Sequence, residues 1–196
     1  MRLVLGLGNP GDRYAGTRHN VAWRVLDTLV DRWHATDHSV PDVYAAWQAR
    51  VAGDVVELVK PLTFMNLAGE AMARWVHENQ DRLPDGLLVV SDDVYLPIGT
   101  LRIRRRGSSG GHRGLESVES VLGGRDFARL RLGVGAAQSS AELREHVLET
   151  FSPEEQGTVA DMVQRAADAV ECWAADGIVA AMSRFNRRAG KEVPES

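Results

Sequence analysis

Arg2-Leu3-Val4-Leu5-Gly6-Leu7-Gly8-Asn9-Pro10-Gly11 is the stretch on which the fold turns. Leu3 to Leu7 is a short apolar run ending in glycines, the form of a buried strand. Its glycine spacing also matches the dinucleotide-binding fingerprint letter for letter. That fingerprint needs a helix N-terminus directly against the pyrophosphate and an acidic residue about 20 positions on. Here Pro10-Gly11 makes a turn, and Asp12 to Gly16 separates it from the first helix cap at Thr17. The acidic candidates, Asp27 and Asp31, fall inside that helix, out of reach of a ribose. The run is therefore read as a strand whose end loop presents the Asn9 side chain at a cleft, with Gly8 removing bulk beside it.

On either side of this strand the pattern alternates between periods. Thr17 caps a helix whose apolar positions Val21, Val25, Leu29 and Trp33 recur at helical spacing. Tyr44 to Val51 and Val55 to Lys60, parted by Ala52-Gly53-Asp54, read as a hairpin, and a helix follows from Asn66 to Glu78. Pro84-Asp85-Gly86 is a turn into a strand, Leu87 to Val90. Thr100 to Arg106 is a strand with Arg102, Arg104 and Arg106 on one face. A glycine/serine loop over 107–114, a helix over 115–122 and a strand over 130–134 come next. Ser152-Pro153-Glu154-Glu155 opens the last long helix with a capping-box pattern. Gly177 interrupts it before a final helix that reaches Arg188. Strands mixed with helices, plus a hairpin, predict an α/β fold: one mixed sheet flanked by helices on both faces, an α/β/α sandwich. The 196 residues suit one domain over 1–190, with a frayed tail at 191–196.

Composition excludes several classes. The hydrophobic fraction is 44% and the charged fraction 26%, ordinary for a globular chain. No apolar run approaches the roughly 20 residues of a membrane helix. The N-terminus passes straight into a strand pattern without the regions of a secretory signal. Cys172 is the one cysteine, so neither an intrachain disulfide nor a cysteine zinc cage is available, and a cytoplasmic protein is expected. A net charge of −4 argues against overall attraction to nucleic acid, yet the arginines are bunched. Arg102, Arg104, Arg105, Arg106 and Arg113 form one group, Arg125, Arg129 and Arg131 a second, and Arg184, Arg187, Arg188 and Lys191 a third. An isolated arginine belongs to a solvated face; four within five residues do not fit that description as well.

Chemistry-bearing residues are sparse. Gly107-Ser108-Ser109-Gly110-Gly111 matches the serine nucleophile elbow, but an elbow needs a buried parallel strand before it, and the strand here carries alternating arginines. Asp126 and His146 could complete a triad on paper only. The loop is read instead as a source of backbone N–H groups for a phosphate. No helix carries two histidines four apart with a glutamate between, so a metalloprotease zinc site has no support, and no metal or other cofactor is expected. His19 lies one turn from the Asn9 loop at a helix start. Asp92-Asp93 follows a strand end, where chemistry collects in such folds. Successive residues point to opposite sides, so one of the pair, Asp92, faces the cleft and Asp93 is a solvated turn carboxylate.

Taken in order, these segments resemble the bacterial-type peptidyl-tRNA hydrolase family. The resemblance runs through Gly6 to Gly11, Tyr14, Thr17-Arg18-His19-Asn20, Lys60-Pro61-Leu62-Thr63-Phe64-Met65-Asn66, Asp92-Asp93 with Leu96-Pro97, Gly110-Gly111-His112, and Phe127 to Gly135. It implies a monomeric hydrolase that cleaves the ester joining a peptide to the terminal ribose of tRNA, so that tRNA returns to translation. On that resemblance His19 is the general base, Asp92 orients it, and Asn9 and Asn66 hold substrate, either one able to meet the oxyanion. Tyr14 and Met65 line the cleft, and Arg104 and Arg131 contact tRNA phosphates near the acceptor end; Arg102, on the same strand face as Arg104, is expected to contact them as well.

Two positions depart from the family pattern: Ser91, where the family usually has histidine, and Arg113, where it usually has a substrate-positioning asparagine. Arginine is longer and donates only, so Arg113 is expected to reach a phosphate or the terminal adenosine. The departures keep a noncatalytic RNA-binding relative, of the kind that serves as a splicing factor in plants, as the alternative function. A serine esterase built on Ser109 is more distant.

Overall fold

The quoted run forms β1 (Arg2–Gly6) at the centre of a seven-stranded sheet. In the computed structural model, which describes residues 1–80, 86–136 and 142–186, every side chain of β1 from Leu3 to Leu5 is fully buried. The other strands are β2 (Thr36–Asp37), β3 (Tyr44–Val51), β4 (Asp54–Pro61), β5 (Gly86–Asp93), β6 (Leu101–Arg104) and β7 (Ala128–Gly133). Their order is β2-β3-β4-β1-β5-β7-β6. β4, β1, β5 and β7 run parallel, while β2, β3 and β6 are antiparallel to their neighbours, so the sheet is mixed as expected.

The helices are α1 (Val21–Trp33), α2 (Ala68–Glu78), α3 (Arg113–Leu122), α4 (Leu143–Leu148), α5 (Pro153–Asp176) and α6 (Ile178–Phe185). They cover both faces, which gives two apolar cores. Alternation along the strands divides the residues: Val4, Leu88, Val90 and Leu130 pack with Val25, Leu29 and Val170, while Leu3, Leu5 and Val89 pack with Trp75, Leu115 and Val118. Each fully buried side chain of this size stabilises the fold by about 1.5–3 kcal/mol. α2 and α3 pack backbone to backbone, because a Cβ on Gly69 would stand 2.3 Å from the Ser117 carbonyl oxygen.

Several boundaries differ from the sequence reading. β5 runs through Asp93 instead of stopping at Val90, since the ladder to β7 continues as Ser91↔Arg131, Asp92↔Leu132 and Asp93↔Gly133. Thr17 does not cap α1. Its hydroxyl donates back to the Tyr14 carbonyl at 2.8 Å, and a 3-10 turn over Arg18–Asn20 leads into the helix. β6 ends at Arg104 and α6 at Phe185. The capping box at Ser152 forms on its glutamate arm, the Ser152 N–H donating to Glu155 at 2.8 Å. The turn at Pro84-Asp85, the basic residues Arg187, Arg188 and Lys191, and the tail over 191–196 lie outside the described residues. β2 and α4 have no counterpart in the sequence reading.

Candidate active site

The ends of β1 and β5, the 3-10 turns over Arg18–Asn20 and Met65–Leu67, the N-terminus of α3 and the body of α4 surround one cavity of about 610 Å³. Asn9, Tyr14, His19, Met65, Asn66, Asp92, Arg113 and Arg131 all line it. Eight of the ten site residues named from the sequence thus share one groove.

The glycines of the β1 end loop serve packing. A Cβ on Gly8 would lie 2.6 Å from the Trp23 indole, whose N–H donates to the Gly6 carbonyl at 2.9 Å. Gly8 therefore makes room for α1 and not, as the sequence suggested, for the Asn9 side chain. Asn9 is held from three sides. Its backbone exchanges hydrogen bonds with the Asn20 amide, at 2.8 Å to Oδ1 and 2.9 Å from Nδ2. Its own Oδ1 accepts the Met65 N–H at 2.8 Å. Because that donor fixes which end of the amide is oxygen, Nδ2 is the end left to the cavity. Asn66 lines the cavity and is exposed.

His19 Nδ1 lies 2.8 Å from Asp92 Oδ1, and His112 Nε2 lies 2.8 Å from the same oxygen. The two rings tilt against each other with centroids 5.1 Å apart. His112 caps α3: its Nδ1 accepts the Leu115 N–H at 3.3 Å. A ring nitrogen that accepts carries no proton, so Nε2 holds the hydrogen and donates it to Asp92. His19 likewise donates through Nδ1, which leaves its Nε2 lone pair as the basic atom. Burial pulls the His19 pKa down, but the charge and hydrogen bond of Asp92 outweigh it and the net shift is upward. Burial alone would raise the Asp92 pKa; the two imidazoles reverse this and hold it well below the usual carboxylate range. Sequence reading named His112 only inside a motif and missed this role. A histidine directly before the first turn of a helix was the available signal.

His19, Asp92 and His112 are the one cluster among the described residues that could meet a cation. Two ligands of a tetrahedral ion with bonds of about 2.0–2.1 Å stand about 3.3 Å apart. The 2.8 Å separations here are hydrogen-bond lengths, and the His112 lone pair is turned to Leu115, so the geometry suits proton transfer better than metal ligation.

Asp93 is not the solvated turn residue the sequence suggested. It is 5% exposed and lines the cavity. Its Oδ2 pairs with Arg131 at 3.0 Å and its Oδ1 accepts the Tyr95 N–H at 2.8 Å. Arg131 also donates to the Ser108 and Ser109 carbonyls at 2.6 and 2.8 Å. The loop gives its carbonyls to Arg131, while the Gly111 and His112 N–H groups turn inward onto Ser109. Those two amides are not offered to a phosphate, contrary to the expectation from composition. No serine triad assembles: the Ser109 hydroxyl bonds Glu116, and His146 bonds the Gly135 carbonyl. Ser91 is fully buried in the sheet and does not reach the cavity. Arg113 is exposed on the rim. Arg102 and Arg104 do not line this cavity; they line a second one at the β6 edge of the sheet.

A mixed α/β sheet that brings a carboxylate-oriented imidazole and an inward amide together at the ends of its central strands has the parts a hydrolase can use. The peptidyl-tRNA hydrolase family model matches residues 3–193, and the chain belongs to that family. It is 41% identical over 189 residues to the peptidyl-tRNA hydrolase of Chloroflexus aggregans, covering 95% of this chain and 99% of that one. The enzyme of Cytophaga hutchinsonii is likewise 41% identical, over 186 residues, covering 95% of this chain and 98% of that one. The crystal structure of the Acinetobacter baumannii peptidyl-tRNA hydrolase superposes with a TM-score of 0.87 at 29% identity, covering 95% of this chain and 94% of that one.

Proposed function

We propose that this protein hydrolyses the ester between a peptide and the terminal ribose of tRNA, with water as the nucleophile and His19 as its general base. The observation that carries the reading is the Asp92-oriented His19 opening on the same cavity as the Asn9 amide. Water loses a proton to His19 Nε2 as its oxygen attacks the ester carbonyl. Asp92 stabilises the imidazolium that results. Asn9 Nδ2 donates to the developing oxyanion, a contribution of about 3–4 kcal/mol where such a donor is pre-positioned. The proton then passes to the leaving ribose oxygen, releasing free tRNA and the peptide. Tyr14, Met65 and Asn66 hold the peptidyl end. Arg113, from the rim, reaches a phosphate or the terminal adenosine.

Discrimination follows from charge. Asp92 and Asp93 are the acidic residues lining the cavity, and both are engaged, by two imidazoles and by Arg131. Neither is left to pair with a free α-ammonium, so an N-blocked ester is favoured over a free aminoacyl ester. Among the described residues no helix is long and apolar enough to cross a membrane. The single cysteine supports a cytoplasmic setting, and the completeness of the cavity within one chain supports action as a monomer.

The test is hydrolysis of N-acetyl-aminoacyl-tRNA beside its free-amine form, by the wild type and by His19→Ala and Ser109→Ala. Cleavage of the blocked ester only, lost by about 10²–10⁴-fold with His19→Ala and kept in Ser109→Ala, is expected. Loss with Ser109→Ala would point to the serine esterase instead. Specific tRNA binding with no hydrolysis by the wild type would favour the noncatalytic RNA-binding reading.

A further inference from the structure

The turn over Arg18–Asn20 sends three successive side chains to three different anchors. A 3-10 turn has three residues per revolution, so neighbours project about 120° apart. Asn20 exchanges hydrogen bonds with the Asn9 backbone, and His19 meets Asp92. Arg18 goes to α5, where its two terminal nitrogens meet the two Glu155 oxygens at 3.2 and 2.8 Å. Neither Arg18 nor Glu155 lines the active-site cavity, and Arg18 is 6% exposed. The Phe151 ring lies against the guanidinium, 4.8 Å from its carbon. Glu155 is itself fixed, because the same carboxylate accepts the Ser152 N–H at the head of α5.

These contacts close a ring around the base and its orienter. Arg18 Nη1 also donates to the Val134 carbonyl at 3.1 Å, and the Val134 N–H donates to the Asp93 carbonyl at 3.2 Å. The path therefore runs from His19 through Arg18, Val134 and Asp93 back to Asp92, and the 2.8 Å bond between His19 and Asp92 completes it. Backbone pairing docks the turn on the same region: the Arg18 N–H donates to the Glu149 carbonyl at 2.9 Å, and Thr17 bridges to Thr150. Stability alone is a poor reason for this pair. Burying an ion pair costs desolvation that its attraction barely offsets, and Arg18 Nε is buried without a hydrogen-bond partner among the described residues. What a two-nitrogen, two-oxygen contact supplies is fixed geometry.

We infer that Glu155 is a positioning residue for the reaction: acting through Arg18, it holds the turn that carries His19 in register with the strand end that carries Asp92. The inference rests on the tRNA-ester reading above and deepens it with a residue that touches no substrate. A displacement of about 1 Å in a catalytic group is enough to cost about a hundredfold in rate. Burial works to raise the Glu155 pKa, but the Arg18 bonds, the Ser152 N–H and smaller contributions from the Arg18 and His146 charges bring it below the ordinary value. Glu155 thus stays ionised around neutrality, and a titration seen there belongs to the imidazole.

The experiment compares the wild type with two variants. Glu155→Gln keeps the shape and the oxygen that caps Ser152 but removes the charge opposite Arg18. Arg18→Met combined with Glu155→Gln removes both charges together, so the net charge near His19 is unchanged. Hydrolysis of N-acetyl-aminoacyl-tRNA should lose about ten- to hundredfold in kcat in both variants, with KM within about twofold. The His19 imidazole, titrated by NMR in the ligand-free protein, should move to lower pKa in both, because Asp92 raises it and the contact is loosened. Activity that falls only in step with the folded fraction seen by circular dichroism, with the imidazole titration unmoved, would overturn the inference. Wild-type kcat and titration in the charge-balanced pair would also overturn it, by showing that Glu155 acts through charge and not through position. A wild type that does not cleave the ester, with the His19 shift present in both variants, would sink the hydrolase reading and leave the positioning standing.

Discussion

Asp92 and Asp93 stand side by side at the end of β5, and each is held by a different kind of donor. Asp92 is bonded to two imidazoles, and Asp93 to a guanidinium and a backbone N–H. An arginine is charged at every working pH, so Asp93 and Arg131 form a fixed strut between β5, β7 and the 108–109 loop. An imidazole titrates near neutrality, so Asp92 sets where a proton sits. One wall of the cavity is thus electrostatically static and the other is poised to change charge once per turnover. Alternation along one strand separates them: the strand sends Asp92 and Asp93 to opposite sides, and the cavity at its end collects both.

Substitution should expose the difference. Asp92→Asn keeps an oxygen for both ring N–H groups but removes the charge that stabilises the imidazolium. A fall in kcat/KM of about 10²–10⁴-fold is expected in steady-state hydrolysis of the blocked ester, carried by kcat. Asp93→Asn leaves Arg131 without its counter-charge and loosens the wall that faces the RNA. Here KM should rise by up to about tenfold with kcat little changed. Thermal or urea unfolding should report a loss of about 1–3 kcal/mol, because the Arg131 side chain is only 14% exposed. If the two variants instead lost kcat alike, the division of labour between the carboxylates would be wrong.

How much of this was legible in the sequence follows the range of the interactions involved. β1, the β3–β4 hairpin and the capping box at Ser152 are written in local pattern, and their bounds came out within a residue or two. The end of β5 was not legible. Ser91-Asp92-Asp93 is a poor strand sequence by propensity, and only pairing with β7 and distant partners holds it extended. Asp93 was misjudged for the same reason, its partner Arg131 lying 38 positions away. His112 meets Asp92 across 20 residues, and His19 meets it across 73, separations that no periodicity reveals. The resemblance to a family supplied His19 and Asp92. It did not supply the His112 tautomer, which depends on a helix cap, nor the separation of Arg102 and Arg104 from the cavity, which depends on where the sheet edge falls.

Proton placement is the heart of the account, and the pH profile reads it most directly. A base must be unprotonated to act, so kcat/KM falls as pH drops through the His19 pKa. That pKa is raised because Asp92 outweighs burial, and the acid limb of the wild type should lie above about 6.5. The same raised pKa contributes folding stability that is full below about 6.5 and lost as pH rises through the folded value. In Asp92→Asn the opposing effect of burial is left alone, and the limb should move to lower pH. The deciding measurement is kcat/KM for N-acetyl-aminoacyl-tRNA against pH in both proteins. A wild-type limb above about 6.5 that shifts downward on removal of the charge is predicted. A limb near the carboxylate range of about 4, or one that Asp92→Asn does not move, would contradict His19 as the base.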